Sequence, residues 1–336
     1  MSGILDRFFL PKRLDWIQVE VTSHCNAACI YCPRTAYQDK WVSRHLPLET
    51  FKKILPALAR TRLVFLQGWG EPFLHPDFFR LVSLAKQAGC QVGTTTNGML
   101  LDAEKITKLV ELGIDTVAFS LAGIDGKNDK VRQGTSLRTV LENIQALQQA
   151  KERWGKAKPA IHIAYMLLSS GLPALAKLPS VLASLGIAQV VISTLDFVPS
   201  GELLQEALWP ANLREYEDLQ SQLQAVVEEG KRRHLEIHYQ LHYPDKKRPT
   251  CTENVPRAMV IAGDGRVAPC VFTNLPVSGV NYWVKGREFP YQRVSFGNIN
   301  ESPLQVIWRQ PGYRRFRHSF ERGDLAPSCR DCPKLG

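Results

Sequence analysis

Apolar residues along the first 195 positions alternate between short β-like runs and segments of helical period. Most of the β-like runs are apolar almost throughout, as in parallel strands that are covered on both faces. The predicted strands are residues 16–20, 63–67, 91–96, 116–120, 161–167 and 189–193. The predicted helices between them begin after Pro47, at Phe78, after the cap Asp102 and after the cap Ser136.

Six consecutive βα units predict an α/β fold with an open or partial (β/α)6 TIM-like barrel, although the topology alone does not exclude a doubly wound sheet. Such a barrel carries its chemistry at the carboxyl ends of its strands. After residue 199 the pattern changes to a helix over 213–227, a charged break over 228–233 and an irregular segment rich in Pro and Gly. We therefore predict a lead-in over residues 1–15, a barrel with its following helix over 16–234, and a smaller irregular domain over 235–336.

The composition of the 336 residues is that of an ordinary globular protein, with 44% hydrophobic and 22% charged residues. No apolar run approaches the ~20 residues of a membrane helix and no signal segment is visible, so we expect a cytoplasmic protein without a membrane partner. The net charge of +10 is uneven, with basic concentrations at residues 246–248 and 313–318. Arginines with interleaved aromatic residues can mark a nucleic-acid interface, but a solvated face, or one that attracts an acidic electron donor, is favoured.

Cys25, Cys29 and Cys32 form the most informative motif, with the spacing Cys-x3-Cys-x2-Cys. A four-iron cluster is normally held by four thiolates, so three would leave one iron open to a small molecule. Structural zinc prefers two Cys-x2-Cys pairs, and disulfides do not suit a reducing compartment. The motif therefore favours an iron–sulfur cluster with an open iron.

A second group of cysteines, Cys251, Cys270, Cys329 and Cys332, lies in the C-terminal segment. Four thiolates complete either a four-iron cluster or a tetrahedral zinc site. The remaining cysteine, Cys90, stands at the start of a predicted strand, at the end away from the expected site. We predict that it is a buried apolar thiol.

The cysteine motif, with an aromatic residue before its last Cys, resembles the radical S-adenosylmethionine (SAM) superfamily. In that family the amino and carboxylate groups of SAM chelate the open iron. Gly68-Trp69-Gly70-Glu71-Pro72 resembles the Gly-Gly-Glu-Pro loop that receives the amino group, with Trp69 in place of a small residue. The segments 94–98 and 120–123 resemble the family's Thr-Asn-Gly and Ser-x-Asp-Gly elements. The resemblance implies SAM contacts from Tyr31, Gly68, Gly70, Glu71, Thr96, Asn97 and Ser120.

Two further elements extend the resemblance. Arg132-Gln133-Gly134 is similar to another recurring element, with a surface ion pair of Arg132 as the alternative interpretation. The spacing Cys-x13-Gly-x4-Cys around Gly265 resembles the start of the SPASM-type domains appended to radical SAM barrels. Four cysteines suit the shorter twitch version, which implies one auxiliary 4Fe–4S cluster beside the SAM-binding one, and zinc stays the alternative.

The resemblance implies an enzyme that reductively cleaves SAM to a 5′-deoxyadenosyl radical, abstracts a substrate hydrogen and passes an electron to the auxiliary cluster. Reduced flavodoxin or ferredoxin is the expected electron donor. The expected activity is that of an oxidoreductase or maturase of a peptide, protein, cofactor or natural product. Oxidation of a small polar alcohol is one alternative, and a zinc or iron–sulfur nucleic-acid-binding module is another.

Beyond the cluster ligands, the sequence assigns no catalytic residue. Epimerisation is disfavoured, because no cysteine is left near the expected site to return a hydrogen atom. Side chains at or just after predicted strand ends are the candidates for substrate contact, namely Tyr165, Thr194 and Asp196.

Overall fold

The computed structural model describes residues 14–241 and 250–335, so most of the predicted lead-in and the basic residues 246–248 lie outside the described part. The strands are β1 (Leu14–Glu20), β2 (Ala28–Cys29), β3 (Thr61–Gln67), β4 (Gln91–Thr96), β5 (Thr116–Leu121), β6 (Arg132–Gln133), β7 (Ala160–Leu167), β8 (Gln189–Thr194), β9 (Glu236–Tyr239), β10 (Ala258–Ile261), β11 (Val267–Ala268), β12 (Asn281–Val284) and β13 (Arg287–Pro290).

The helices surround the sheet and connect most of its strands. They are α1 (Pro33–Ala36), α2 (Leu48–Lys52), α3 (Leu55–Leu58), α4 (Phe78–Gln87), α5 (Ala103–Glu111), α6 (Lys127–Val131), α7 (Leu137–Arg153), α8 (Leu172–Leu175), α9 (Leu178–Leu182), α10 (Leu213–Arg232), α11 (Leu304–Arg309), α12 (Pro311–Arg322) and α13 (Pro327–Arg330). Within the ranges described, none of them is long and apolar enough to cross a membrane.

The main sheet has nine strands in the order β11-β10-β1-β3-β4-β5-β7-β8-β9. All neighbouring pairs are parallel except β10 and β11. All six predicted strands are present, and the α/β fold with a parallel, partial-barrel sheet is confirmed. Three further strands, β9, β10 and β11, extend this sheet beyond the six predicted ones. These strands are only two to four residues long and give little periodic signal.

Local sequence signals explain most of the helices. The side chains of Asp102 and Ser136 accept the predicted N-cap hydrogen bonds, from the main-chain N–H groups of Lys105 and Thr139. The predicted break over 228–233 was wrong, since α10 continues to Arg232. Its charged residues form ion pairs along the exposed helix face instead, such as Lys231–Glu228.

The C-terminal segment is joined to the barrel through the sheet itself. Strand β10 pairs in parallel with β1, and Trp16 lies opposite Ala258 while Val19 lies opposite Ile261. Apolar residues of both parts share one core. Cys90 is buried in this core, as predicted, with its Sγ 3.4 Å from the carbonyl oxygen of Thr61. The division at residue 235 stays a prediction.

Candidate functional site

The first cysteine group lies in the loop that follows β1, at the carboxyl end of the sheet. Cys29 belongs to β2, which pairs with β6 opposite Arg132, and Cys32 is the N-cap of α1. The N–H of Cys32 donates to the carbonyl of Cys29 over 3.0 Å and closes the turn. The three thiols therefore lie on one short loop.

Main-chain N–H groups point at the sulfur atoms of this group. The N–H of Ala27 donates to Cys25 Sγ over 3.5 Å, and that of Arg34 donates to Cys32 Sγ. Burial and the neighbouring Cys29 thiolate raise the pKa of Cys32 to about 12. A bound iron centre would oppose this effect, because a metal cation stabilises coordinated thiolates.

The Gly-rich loop after β3 packs directly on the cysteine loop. The N–H groups of Gly70 and Glu71 donate to the carbonyls of Thr22 and His24, over 3.2 and 2.8 Å. A Cβ atom at Gly70 would lie 2.3 Å from the carbonyl oxygen of His24. Glycine is therefore required at this position by the close approach of two backbone segments, before any ligand is considered.

Glu71 is buried and connects the loops after β3 and β4. Its carboxylate accepts hydrogen bonds from Thr96 Oγ1 and the N–H of Asn97, both at 2.7 Å, and from the N–H of Phe73 at 3.3 Å. Burial raises the pKa of Glu71 to about 7, although these donors oppose the rise. A carboxylate has about four lone-pair sites, so one is left for a further donor such as an ammonium group.

Asn97 links this network to the first cysteine. Its Nδ2 donates to Asn26 Oδ1 over 2.8 Å and lies 4.0 Å from Cys25 Sγ. The predicted SAM residues Glu71, Thr96 and Asn97 therefore form one network beside Cys25.

The buried Arg132 and the half-buried Tyr31 form a second pair at this site. The Arg132 guanidinium donates to the Tyr31 hydroxyl, while its main chain pairs with Cys29. Arg132 is 6% exposed, which corrects the alternative of a surface ion pair. Gly134 has φ +83°, and a Cβ there would lie 2.9 Å from the carbonyl oxygen of Asn26. The Arg132–Tyr31 contact joins residues 101 positions apart, and the sequence analysis did not predict it.

The two positions that depart from the family pattern have local explanations. Ala122 replaces the usual acid after Ser120, and its N–H donates to Oδ1 of the fully buried Asn128 over 3.0 Å. Ser120 is half-buried on the more open face of β5. The ring of Trp69 packs edge-on against Phe272, with ring centroids 6.2 Å apart. The bulky residue thus reaches into the C-terminal segment.

Sequence reasoning missed Glu20, the last residue of β1. It is 3% exposed and accepts hydrogen bonds from the N–H groups of Trp69, at 3.3 Å, and Gly263, at 3.0 Å. Burial raises the pKa of Glu20 to about 6, against the effect of these two donors. An acid at the end of an apolar strand was the available signal. Glu20 joins the Gly-rich loop to the C-terminal segment.

The second cysteine group lines one cavity of about 250 Å³. Its members come from three separated segments, namely Cys251, Cys270, and Cys329 with Cys332. Main-chain N–H groups two residues downstream again donate to sulfur, from Glu253 to Cys251 and from Lys334 to Cys332. The same N–H···S arrangement therefore occurs in both cysteine groups.

The donor set of each group fits an iron–sulfur cluster. N–H···S hydrogen bonds are among the interactions that set the properties of such clusters. In the described ranges, no three His, Cys, Asp or Glu side chains lie close enough together to hold a single metal ion. The thiols of each group and their N–H donors therefore suit a cluster of several irons rather than a single ion.

The three substrate candidates occupy different environments. Tyr165 is 1% exposed within the hydrophobic core, and its contact with substrate stays a prediction. Thr194 Oγ1 donates to Asp196 Oδ1 over 3.0 Å, and Lys334 Nζ lies 3.0 Å from Asp196 Oδ2. Burial lowers the pKa of Lys334, but the carboxylates of Asp196 and Glu253 outweigh burial and raise it. Asp196 lines the cavity of the second cysteine group.

Comparisons with known proteins agree with this geometry. The family model of the radical SAM superfamily matches residues 19–157, and that of SPASM, an iron–sulfur cluster-binding domain, matches residues 251–333. The chain is 29% identical to the tungsten-containing aldehyde ferredoxin oxidoreductase cofactor-modifying protein of Pyrococcus furiosus, over 95% of this chain and 87% of that protein. It is 24% identical to the PqqA peptide cyclase of Gluconobacter oxydans, over 97% and 84%.

A solved structure shows the same fold. Streptococcus suis SuiB bound to S-adenosylmethionine superimposes with a TM-score of 0.69 at 16% identity, over 93% of this chain and 70% of that one. The two matched domains imply SAM, a 4Fe–4S cluster and further iron–sulfur cofactor as the chemistry of this protein. The chain belongs to the radical SAM superfamily and is a radical SAM enzyme with a SPASM iron–sulfur domain.

Proposed function

We propose that this enzyme is an oxidative maturase. In the proposal, Cys25, Cys29 and Cys32 hold the SAM-binding 4Fe–4S cluster, and Cys251, Cys270, Cys329 and Cys332 hold one auxiliary 4Fe–4S cluster of the twitch type. The observation that carries the proposal is the shared cavity. Asp196 and Phe197, two and three residues after the end of barrel strand β8, line the same cavity as the four auxiliary cysteines. A substrate at the mouth of the barrel would thus lie between the two cysteine groups.

The bound cofactors supply the chemistry, which is one-electron cleavage of SAM to methionine and a 5′-deoxyadenosyl radical. The radical would take one hydrogen atom from the substrate and become 5′-deoxyadenosine. The four auxiliary thiols would hold a cluster that can accept one electron as the substrate radical also loses a proton, and the product would carry a carbonyl, a double bond or a crosslink. The electron for SAM cleavage would come from a reduced flavodoxin or ferredoxin.

The residues around the first cysteine group have assigned roles in this proposal. Glu71 accepts the SAM ammonium group at its remaining lone pair, and Thr96 and Asn97 hold Glu71 in place. Tyr31, fixed by Arg132, lies against the adenine. Gly70 allows the Gly-rich loop to approach the cysteine loop, Gly68 allows the same loop to approach Glu20, and Ser120 contacts the ribose.

The substrate class follows from the relatives. One full-length relative is named for cyclisation of the PqqA peptide and another for modification of an enzyme cofactor. A peptide, protein or cofactor precursor is therefore the proposed substrate, ahead of a small polar alcohol.

Anaerobic reconstitution tests the function without knowledge of the substrate. We expect about eight irons per chain, as two four-iron clusters require, and 5′-deoxyadenosine on addition of SAM and dithionite. The variant with Cys25→Ala, Cys29→Ala and Cys32→Ala should keep about four irons and form no 5′-deoxyadenosine. Cys90→Ala is the matched control and should keep both properties. Bound zinc with no SAM cleavage in the unmodified chain would contradict the proposal.

A further inference from the structure

Three charged side chains converge on the wall of the auxiliary cysteine cavity. Lys334 Nζ lies 3.0 Å from Asp196 Oδ2 and 3.8 Å from Glu253 Oε1. The side chains of Lys334, Asp196 and Glu253 are only 17%, 10% and 22% exposed. The group joins the end of barrel strand β8 to both ends of the auxiliary segment. Its formal charge is −1, because one ammonium group faces two carboxylates.

Main-chain contacts hold this group against the cysteine sulfurs. Glu253 and Lys334 each stand two residues after a cysteine, and their N–H groups donate to the sulfurs of Cys251 and Cys332. The segments of these two cysteines also pair with each other, since the N–H of Thr252 donates to the carbonyl of Lys334 over 3.4 Å. The charges are therefore placed beside the ligands by the same turns that orient the sulfur atoms.

Two further contacts orient the charged ends. Thr194 Oγ1 donates to the second oxygen of Asp196 over 3.0 Å. The Lys334 ammonium lies 5.5 Å from the centroid of the Phe272 ring, within the range of a cation–π contact. The ammonium group also interacts electrostatically with Cys251 and Cys332.

Stability alone is a poor explanation for such a group. Burial of charges costs free energy that their mutual attraction often fails to recover, and apolar replacements of buried ion pairs are frequently neutral or stabilising. Charges near an iron–sulfur cluster do have a direct effect on its redox equilibrium, since reduction adds a negative charge at short range in a medium of low dielectric. A neighbouring cation favours the reduced cluster and a neighbouring anion favours the oxidised one.

We propose that this charged group sets the reduction potential of the auxiliary cluster through Lys334, Asp196 and Glu253. The inference rests on the electron transfer of the proposed function. Lys334 raises the potential, and Asp196 and Glu253 lower it. The network thereby controls how readily the cluster takes an electron from the substrate radical. Its location at the end of β8 places this control where the barrel meets the auxiliary segment.

Redox titration of the reconstituted full-length chain, followed by electron paramagnetic resonance at pH 8.5, tests the inference. Spectra with and without SAM are compared, so that the SAM-binding cluster is identified by its response to SAM. We expect Lys334→Met to lower the auxiliary potential, and Asp196→Asn and Glu253→Gln to raise it. The expected change is about tenfold or more in the equilibrium constant, which is about 59 mV for a one-electron couple. Lys334→Arg should restore the unmodified potential.

A matched control is Lys231→Met, because Lys231 also forms an ion pair but on the exposed face of α10, and it should leave the potential unchanged. The inference would be overturned if the redox equilibrium constants of the charge variants stayed within tenfold of that of the unmodified chain. It would also be overturned if the potentials of all three variants moved in one direction. If Lys334→Met does not assemble the cluster, the two carboxylate variants test the inference, because their auxiliary potentials should be higher than that of the unmodified chain. Failure of the unmodified chain to bind about eight irons would instead refute the proposed function.

Discussion

The two cysteine groups are built in different ways. The thiols of the first group come from one eight-residue stretch, Cys25 to Cys32, and neighbouring loops hold this stretch by main-chain hydrogen bonds. The second group is assembled from three segments spread over residues 251–332. Glu71 with its neutral hydrogen-bond donors and the Arg132–Tyr31 pair lie beside the first, whereas a three-residue ion network borders the second. A local motif thus specifies the radical-forming site, and tertiary packing specifies the auxiliary one.

The largest predicted effect separates the two groups by function. In Cys251→Ser with Cys270→Ser, we expect about four of about eight irons to be lost, because two of four ligands are removed. Formation of 5′-deoxyadenosine from SAM should continue, since the first cysteine loop does not depend on these residues for its hydrogen bonds. Iron analysis and chromatography of the nucleoside measure both quantities. Loss of SAM cleavage as complete as in the triple variant of the first group would show that the two sites are not separable.

A second prediction concerns the contact between the Gly-rich loop and the cysteine loop. Gly70→Ala would place a Cβ 2.3 Å from the His24 carbonyl oxygen and 2.5 Å from that of Thr22. Because both are backbone atoms, the loops must move apart. We expect a loss of about 1–3 kcal/mol in the free energy of unfolding and at least a tenfold loss in SAM affinity. Denaturant unfolding and equilibrium SAM binding are the measurements.

Gly126→Ala provides the control for this prediction. Gly126 has φ −59°, and no atom lies within 4 Å of its virtual Cβ. A loss of SAM affinity in Gly126→Ala equal to that in Gly70→Ala would mean that the close approach at Gly70 is not the cause.

The third prediction tests the assigned role of Glu71. Glu71→Gln keeps the shape but removes the negative charge, and its amide NH2 faces the N–H donor of Asn97. Charged hydrogen bonds contribute about 1.5–3 kcal/mol, so SAM should bind about 10- to 100-fold more weakly. Glu49→Gln, on an exposed side chain, should bind SAM normally. Equal affinity of Glu71→Gln and the unmodified chain would remove Glu71 from the ammonium site.

The raised pKa of Glu71 gives this prediction a pH dependence. Burial raises the pKa to about 7, so the carboxylate that attracts an ammonium group is the main form only above that pH. SAM affinity of the unmodified chain should therefore increase as the pH rises through about 7, and Glu71→Gln should lack this increase. For folding the sign is opposite, because a raised carboxyl pKa favours the folded state at low pH and this contribution is lost as the pH rises through about 7.

Sequence alone gives the barrel strands and the first cysteine loop, because both depend on local patterns of apolar residues and short spacings. It does not give the position of β10, a four-residue strand beside β1 that is more than 230 positions away in the chain. Asp196 was chosen as a candidate for substrate contact, yet its partner Lys334 is distant in sequence. Glu20 was missed because its two hydrogen-bond donors, in the Gly-rich loop and the C-terminal segment, come together only in the fold.

The smallest predicted effect concerns Trp69, whose side chain links the two regions. Its ring packs against Trp41 and Phe272, with centroids at 6.4 and 6.2 Å, but its buried indole N–H has no hydrogen-bond partner in the described structure. Trp69→Phe loses some packing area. It also removes the unsatisfied N–H donor, and a buried unsatisfied donor destabilises the folded state by about 1–3 kcal/mol. Because these terms oppose each other, we expect the free energy of unfolding to change by less than about 1 kcal/mol, with SAM affinity unchanged. Trp69→Gly, which removes the ring, should be clearly less stable in the same denaturant titration, and equal stability of the two variants would show that Trp69 does not connect the radical-forming and auxiliary regions.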